Sequence, residues 1–358
     1  MSDWKNRAEI NADVVFFPYS TLEKEKKAED VYVWDLDKTY LDTKFETIKG
    51  IVKTAFEKGF QKKNVPGTGA LVRALKTSLN QKRPEEELAI YFITASPPQL
   101  EESIYEKLSL DGANPFGVFF KDNLQNLRPK RLWRLTKQVG YKLQSLMQLR
   151  LRLGTNVRQI LWGDDSETDA VIYSLYSDIC SRRIDEKSLV KILRYFHVVG
   201  TQVDAILELQ SRLPVHDPVE KVYINLAVDT DSEYYLKFGR RLMASFNSVQ
   251  TALDLFQDGR IGVEQVVDVT TDLETNFEFT TDEVEWSIDE LVKRQILAEE
   301  TIKEVIPVLK SHGLIHHQFE LSMSPKPVVQ RVQGRVYELE GSFEPWVPEH
   351  IDYMHDYR

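Results

Sequence analysis

One cysteine, Cys180, stands in a chain of 358 residues. Its solitude excludes an internal disulfide and a cysteine metal cluster, and a lone thiol reads as a small buried apolar residue. Long apolar runs are missing too: none approaches the roughly 20 residues that span a bilayer. The opening Met-Ser-Asp-Trp-Lys-Asn-Arg leads into no apolar signal core. Positive charge is also short, with 46 Lys and Arg against 56 Asp and Glu and a net charge of −10. That balance disfavours a nucleic-acid coat or a polybasic membrane anchor. There is no internal repeat and no low-complexity tract. The hydrophobic 42% and charged 28% are those of a soluble globular protein. The expectation is a cytoplasmic protein built as one large domain with additions, or as two domains.

Strand signals recur, each followed by a helical pattern. They fall at Val31–Asp35, Leu88–Thr94, Phe116–Phe120, Gln159–Trp162 and Val222–Leu226, with a shorter one at Val14–Phe17. These runs are apolar on both faces, which predicts an α/β fold with a parallel sheet covered by helices on both sides. From about residue 231 the pattern changes. Leu242, Phe246, Val249, Leu253 and Phe256 recur at steps of three and four, which predicts one long amphipathic helix stopped at Asp258-Gly259. The expected organisation is a domain over residues 1–230, a helical extension over 231–315 and an irregular tail over 316–358 with a hairpin near Gln333-Gly334.

The chemistry is concentrated in four places. Asp35-Leu36-Asp37-Lys38-Thr39 closes the first strand, and Thr94-Ala95-Ser96-Pro97 closes the second. A lysine follows, for which Lys142 is preferred because it opens the helical run before the fourth strand; Lys121, Lys130 and Lys137 compete with it. Gly163-Asp164 through Asp169 closes the fourth strand. On a strand, Asp35 and Asp37 begin on one face, and the turn after the strand can aim both at one point. An anionic nucleophile meeting an anionic phosphate needs its charge offset. A Mg²⁺ ion held by carboxylates from two strand ends, together with a lysine, meets that need. Asp35 is then the nucleophile, and Asp37 the group that protonates the leaving oxygen and deprotonates water. Read alone, Asp35 and Asp37 are also an ordinary Asp-rich strand end, and Thr94 also serves as a helix cap.

The order Asp-x-Asp-x-Thr, strand-end Thr, Lys, Gly-Asp…Asp resembles the haloacid dehalogenase (HAD) superfamily of phosphatases. More narrowly, the chain is similar to the catalytic domain of the actin-patch-associated phosphatidate phosphatases. Val65-Pro66-Gly67 to Leu75, Ile93-Thr94-Ala95-Ser96-Pro97, Phe119-Phe120-Lys121-Asp122, and Gly163-Asp164 with Asp169 and Tyr173 carry this narrower resemblance. It implies a HAD-type Rossmann-like sheet with a minimal cap and a helical C-terminal extension. It implies Asp35 and Asp164 as Mg²⁺ ligands, Asp37 as a ligand through its backbone carbonyl, and Asp169 as a supporting acid acting through water. It also implies Thr94, the N–H of Ala95 and Lys142 as the phosphate-binding set. Three positions depart from the relatives' pattern: Lys38 stands where they carry Asp, Tyr141 where they carry His, and Asp165 where they carry Ser.

The expected activity is Mg²⁺-dependent phosphomonoester hydrolysis through an aspartyl-phosphate. The resemblance alone points to phosphatidate or a related phospholipid, and with it to peripheral contact with a membrane. Short spacings between the motifs argue against a large lid, and an uncapped site admits a bulky phosphorylated substrate. Ten basic residues from Lys121 to Arg158, against Asp122 alone, are either a cationic approach for an anionic substrate or simply the wet faces of helices. A phosphatase of nucleic-acid ends is permitted by this stretch and disfavoured by the net charge. A non-catalytic binding or scaffold protein on the same fold is the other alternative. His312, His316 and His317 do not read as a metal site, because Gly313 breaks any helix aligning them and no acidic ligand sits at metal spacing.

Overall fold

The structure is a computed structural model and describes residues 4–42, 63–122, 138–166, 168–239, 241–324, 347–348 and 350–355. The chain divides into two compact units. The first comprises Met1–Lys63, Ala89–Ile224 and Pro348–Arg358, and the second Asn64–Leu88 and Asn225–Val347.

Among its described residues the first unit has seven strands: β1 (Glu9–Asn11), β2 (Val14–Pro18), β3 (Asp30–Asp35), β4 (Ala89–Thr94), β5 (Gly117–Lys121), β6 (Arg158–Asp164) and β7 (Val219–Asn225). Their order is β1-β2-β5-β4-β3-β6-β7. β3 pairs in parallel with both β4 and β6, and β4 in parallel with β5. All six residues of β4 and all five of β5 are buried. A strand covered on both faces has no polar side to alternate with, hence the unbroken Ala-Ile-Tyr-Phe-Ile-Thr. Helices lie on both sides of the sheet. Those of this unit include Glu101–Leu110, Val139–Arg152 and Asp169–Ser181.

One edge departs from the parallel expectation: β2 runs antiparallel to β5, and β1 antiparallel to β2. β1 is Glu-Ile-Asn with all three residues exposed, so it carries no apolar signal; besides its pairing, Arg152 reaches Glu9 at 2.7 Å. Beneath the centre of the sheet, Trp34 and Trp162 are in register on β3 and β6 and stack with centroids 4.4 Å apart at 3°. Tyr223 of β7 continues the stack, 4.9 Å from Trp162. Such aromatic pairs add about 0.5–1.5 kcal/mol beyond their burial. Every residue of the helix from Asp169 to Cys180 is buried. Near its end Asp178 accepts a 2.5 Å hydrogen bond from the Tyr353 hydroxyl.

The second unit holds β8 (Leu242–Ser245) and the helices Thr68–Lys82, Ser248–Gln257, Val263–Phe277, Thr281–Lys293 and Glu299–Ser311. Here the sequence expectation needs correction. Leu242 belongs to a strand, Phe246 to a bend, and the helix starts at Ser248. Asn247 sets that start, its side chain accepting the Gln250 N–H at 3.1 Å. A short apolar run before a cap mimics the helical period. The expected stop holds: Gly259 follows the C-cap Asp258 at φ +67°. No helix among the described residues is long and apolar enough to cross a membrane. The hairpin expected at Gln333-Gly334 lies outside the described residues, as do residues 43–62 and 123–137, on which the lid expectation partly rests.

Candidate active site

Parallel neighbours end at one edge of a sheet, and β3, β4 and β6 end there with Asp35, Thr94 and Asp164. All three side chains are buried. Helix Val139–Arg152 brings the buried Lys142 to this edge. Its Nζ lies 2.9 Å from Asp35 Oδ1 and 2.5 Å from Asp169 Oδ1. Tyr141, one residue earlier, donates to the Thr94 carbonyl at 2.8 Å, tying the same helix to β4. Burial first, then the nearby Asp35, pushes the Tyr141 phenol far above its ordinary pKa, so it stays a neutral donor.

Asp169 opens the buried helix that follows β6. Its Oδ2 accepts the Asp164 N–H at 3.2 Å. This approach depends on Gly163, where a Cβ would stand 2.5 Å from both Asp169 Cβ and Asp169 Oδ2. The spacing to Tyr173 also has a cause: its hydroxyl donates to the Trp162 carbonyl at 2.8 Å and fastens the helix back to β6.

After Asp35 the chain folds into a tight loop. The Tyr40 and Leu41 N–H groups both donate to the Leu36 carbonyl, and the Lys38 N–H to the Leu41 carbonyl. Lys38 takes φ +63°, a left-handed conformation that costs a non-glycine residue about 1 kcal/mol or more. The loop separates the two carboxylates. Asp35 faces Lys142, while Asp37 Oδ2 accepts from Thr94 Oγ1 at 2.7 Å. Thr94 Oγ1 in turn accepts the Ser96 N–H at 3.0 Å, so it orders the strand-end turn and touches Asp37 at once. Ala95 sits half-buried in that turn.

Asp35, Asp164 and Asp169 each offer one carboxylate oxygen, all within 4.8 Å of one another. Lys142 offsets one of these three buried charges. The remaining negative charge and an all-oxygen donor set suit a hard divalent cation such as Mg²⁺. The carboxylate of Asp37 is not part of this group.

Three side chains make contacts to which the sequence reading assigned no role. Thr39 Oγ1 lies 3.2 Å from Asp35 Oδ2 and 3.4 Å from Asp164 Oδ2, bridging two strand ends. Ser166 donates its N–H at 2.6 Å and its hydroxyl at 2.5 Å to Asp164 Oδ1. Lys38 Nζ donates to Ser166 Oγ at 2.9 Å. Among the competing lysines, Lys121 is buried with Nζ 5.8 Å from the Tyr141 ring centre, whereas Lys130 and Lys137 lie outside the described residues. In the second unit, His316 Nδ1 lies 3.0 Å from Glu285 and 3.8 Å from Asp282. Those acids are remote in sequence, so spacing could not reveal them, and the group is largely exposed.

Residues 31–189 match the family model described as phosphatidate phosphatase APP1, catalytic domain. Every residue of the strand-end cluster falls inside that span, and membership of the HAD-like superfamily is consistent with it. Neither the curated proteins nor the solved structures hold a significant match. The family match supports a phosphatase function.

Proposed function

On the premise that residues 31–189 carry a phosphatidate phosphatase catalytic domain, we propose that the protein is a Mg²⁺-dependent phosphomonoester hydrolase of the HAD type. Its substrate would be phosphatidate or another phospholipid with a terminal phosphate. The observation that carries this reading is the convergence of Asp35, Thr94 and Asp164 at one sheet edge, with Lys142 bridging Asp35 and Asp169.

Asp35 attacks phosphorus, and the bond to the leaving oxygen breaks as Asp37 gives that oxygen a proton. Asp37 then takes a proton from water, which attacks the aspartyl-phosphate, releasing phosphate and restoring Asp35. Thr94 Oγ1 and the Ala95 N–H hold phosphoryl oxygens at the strand end, where fixed donors cost no reorganisation. Lys142 bridges Asp35 and Asp169, offsets one of their two charges and places its ammonium beside the phosphate. Asp35, Asp164 and the Asp37 carbonyl would hold a Mg²⁺ ion, with Asp169 in support, and that ion would supply the remaining charge neutralisation. The setting proposed is the cytoplasm, with peripheral contact to the lipid surface.

The test is Asp35→Asn, which keeps size and removes the nucleophile. Phosphate release from phosphatidate in mixed micelles with Mg²⁺ should fall by roughly 10³-fold or more, with the circular dichroism spectrum unchanged. Activity within a few-fold of the parent would remove Asp35 from the role. No hydrolysis by the parent across phospholipid, phosphopeptide, nucleotide and sugar phosphates would favour the scaffold alternative.

A further inference from the structure

We infer, resting on the phosphatase reading above, that Lys121 is a second phosphate-binding cation of this site. It holds the phosphoryl oxygens on the side of Thr94 turned away from Asp35. Lys142 is then one of two ammonium groups that serve the phosphate.

Register fixes the placement. β5 lies beside β4 on the flank opposite β3, and Phe120 of β5 pairs with Thr94. Lys121 is therefore one step beyond the level of Thr94, at the carboxyl end of its strand. Its N–H donates to the Ser96 carbonyl at 3.3 Å, which ties it to the turn that carries Ala95. The same pairing fixes the face. Asp35 is level with Ile93, and Ile93 with Phe119. Residues level with one another on paired strands share a face, and so do residues two apart on one strand. Lys121 thus shares the face of Asp35, with the end of β4 between them. Paired strands stand about 4.8 Å apart. A phosphoryl group over the end of β4 is one such spacing from each flank, a gap that the four-carbon stem of a lysine covers.

The surroundings of the side chain agree with this placement. Lys121 is only 3% exposed, although lysine is among the residues least often buried. Its Nζ stands 5.8 Å from the centre of the Tyr141 ring. Tyr141 donates to the Thr94 carbonyl and directly precedes Lys142, so one turn of the helix Val139–Arg152 meets both ammonium groups. Charge points the same way. Asp35, Asp164 and Asp169 gather at the strand ends, and Lys142 bridges two of them. A phosphate monoester brings about two further negative charges. Lys142 and one divalent cation leave that total in excess. A second ammonium lowers the cost of burying the dianion, through hydrogen bonds of the stronger, charge-assisted class.

The test follows diacylglycerol formation from phosphatidate in mixed micelles and nitrophenolate release from p-nitrophenyl phosphate. Inorganic phosphate serves as the competing product, and Mg²⁺ is varied. The parent is compared with Lys121→Met, which keeps the stem, and Lys121→Gln, which keeps a polar head without the charge. In both variants the inhibition constant of inorganic phosphate should rise, and kcat/KM should fall, by about 10- to 100-fold. The Mg²⁺ concentration for half-maximal activity should stay within about two-fold, because β4 lies between Lys121 and the carboxylates. Phosphate inhibition within about two-fold of the parent overturns the inference. So does a parallel rise of the phosphate and Mg²⁺ constants, or failure of both variants to fold, either of which marks a structural charge. Each of these results leaves the phosphatase reading intact. No hydrolysis of either substrate by the parent overturns both.

Discussion

Gly163→Ala is the sharpest probe of how the site is assembled. The added methyl would stand 2.5 Å from Asp169 Cβ and Oδ2 and 2.8 Å from Cγ. Reaching ordinary contact requires Asp169 to retreat by on the order of 1 Å. Its room is limited, because the surrounding helix is buried and Lys142 holds Oδ1 at 2.5 Å. Overpacking of this kind costs about 1–3 kcal/mol. The hydrogen bond from the Asp164 N–H to the Asp169 carboxylate adds about 1.5–3 kcal/mol if it is lost. Against this stands a gain of about 0.4–1 kcal/mol from the stiffer unfolded chain. The net expectation is a loss of about 2–5 kcal/mol in urea unfolding, and a displacement of that size costs roughly 10²-fold in turnover. Gly200→Ala is the control: nothing lies within 4 Å of its Cβ, so stability should be equal or slightly higher. If Gly163→Ala unfolds within about 0.5 kcal/mol of the parent, the close approach of β6 to Asp169 does not organise the site.

Lys142→Met should destabilise the protein by about 3–5 kcal/mol in the same assay, because it strands buried carboxylates that the ammonium now bridges. A loss under about 1 kcal/mol would show that this charge is not structurally needed. Cys180 is buried and its thiol is pushed up to about 12, chiefly by burial. Native protein should therefore react with Ellman's reagent at pH 8 only at its unfolding rate, and quick labelling without unfolding would contradict the placement. The native pKa lies above the unfolded value near 8.5, so the unfolded chain loses this proton first as pH rises. Stability from this group is intact below about pH 8.5 and declines between there and 12, and Cys180→Ala should flatten the slope.

The strands that bear the chemistry were legible because burial on both faces leaves continuous apolar runs. Val31–Asp35 and Leu88–Thr94 were placed within a residue of the observed β3 and β4. β1 was not legible, since Glu9–Asn11 has no buried face to leave a pattern. Leu242 was misplaced into a helix because four residues of strand followed by a capped helix imitate the helical period. In the site, Asp35, Asp164, Asp169 and Lys142 were readable as charged residues at strand and helix ends, and the structure brings these four together. Thr39 was legible as part of the motif but not as a bridge, and Ser166 had no assigned role, because a hydroxyl acquires its contacts only when two strand ends meet. His316 shows the same limit, since its acidic neighbours Asp282 and Glu285 precede it by some 30 residues.

The stacked indoles of Trp34 and Trp162 have a further consequence. Each ring belongs to the residue just before a site segment, Trp34 before Asp35 and Trp162 before Gly163-Asp164. Two chromophores lying 4.4 Å apart at 3°, with the Tyr223 ring beside them, couple electronically. The strands that carry the two carboxylates thus hold an optical gauge of their own spacing. A slip between β3 and β6 would register in the near-ultraviolet dichroism before any product was counted.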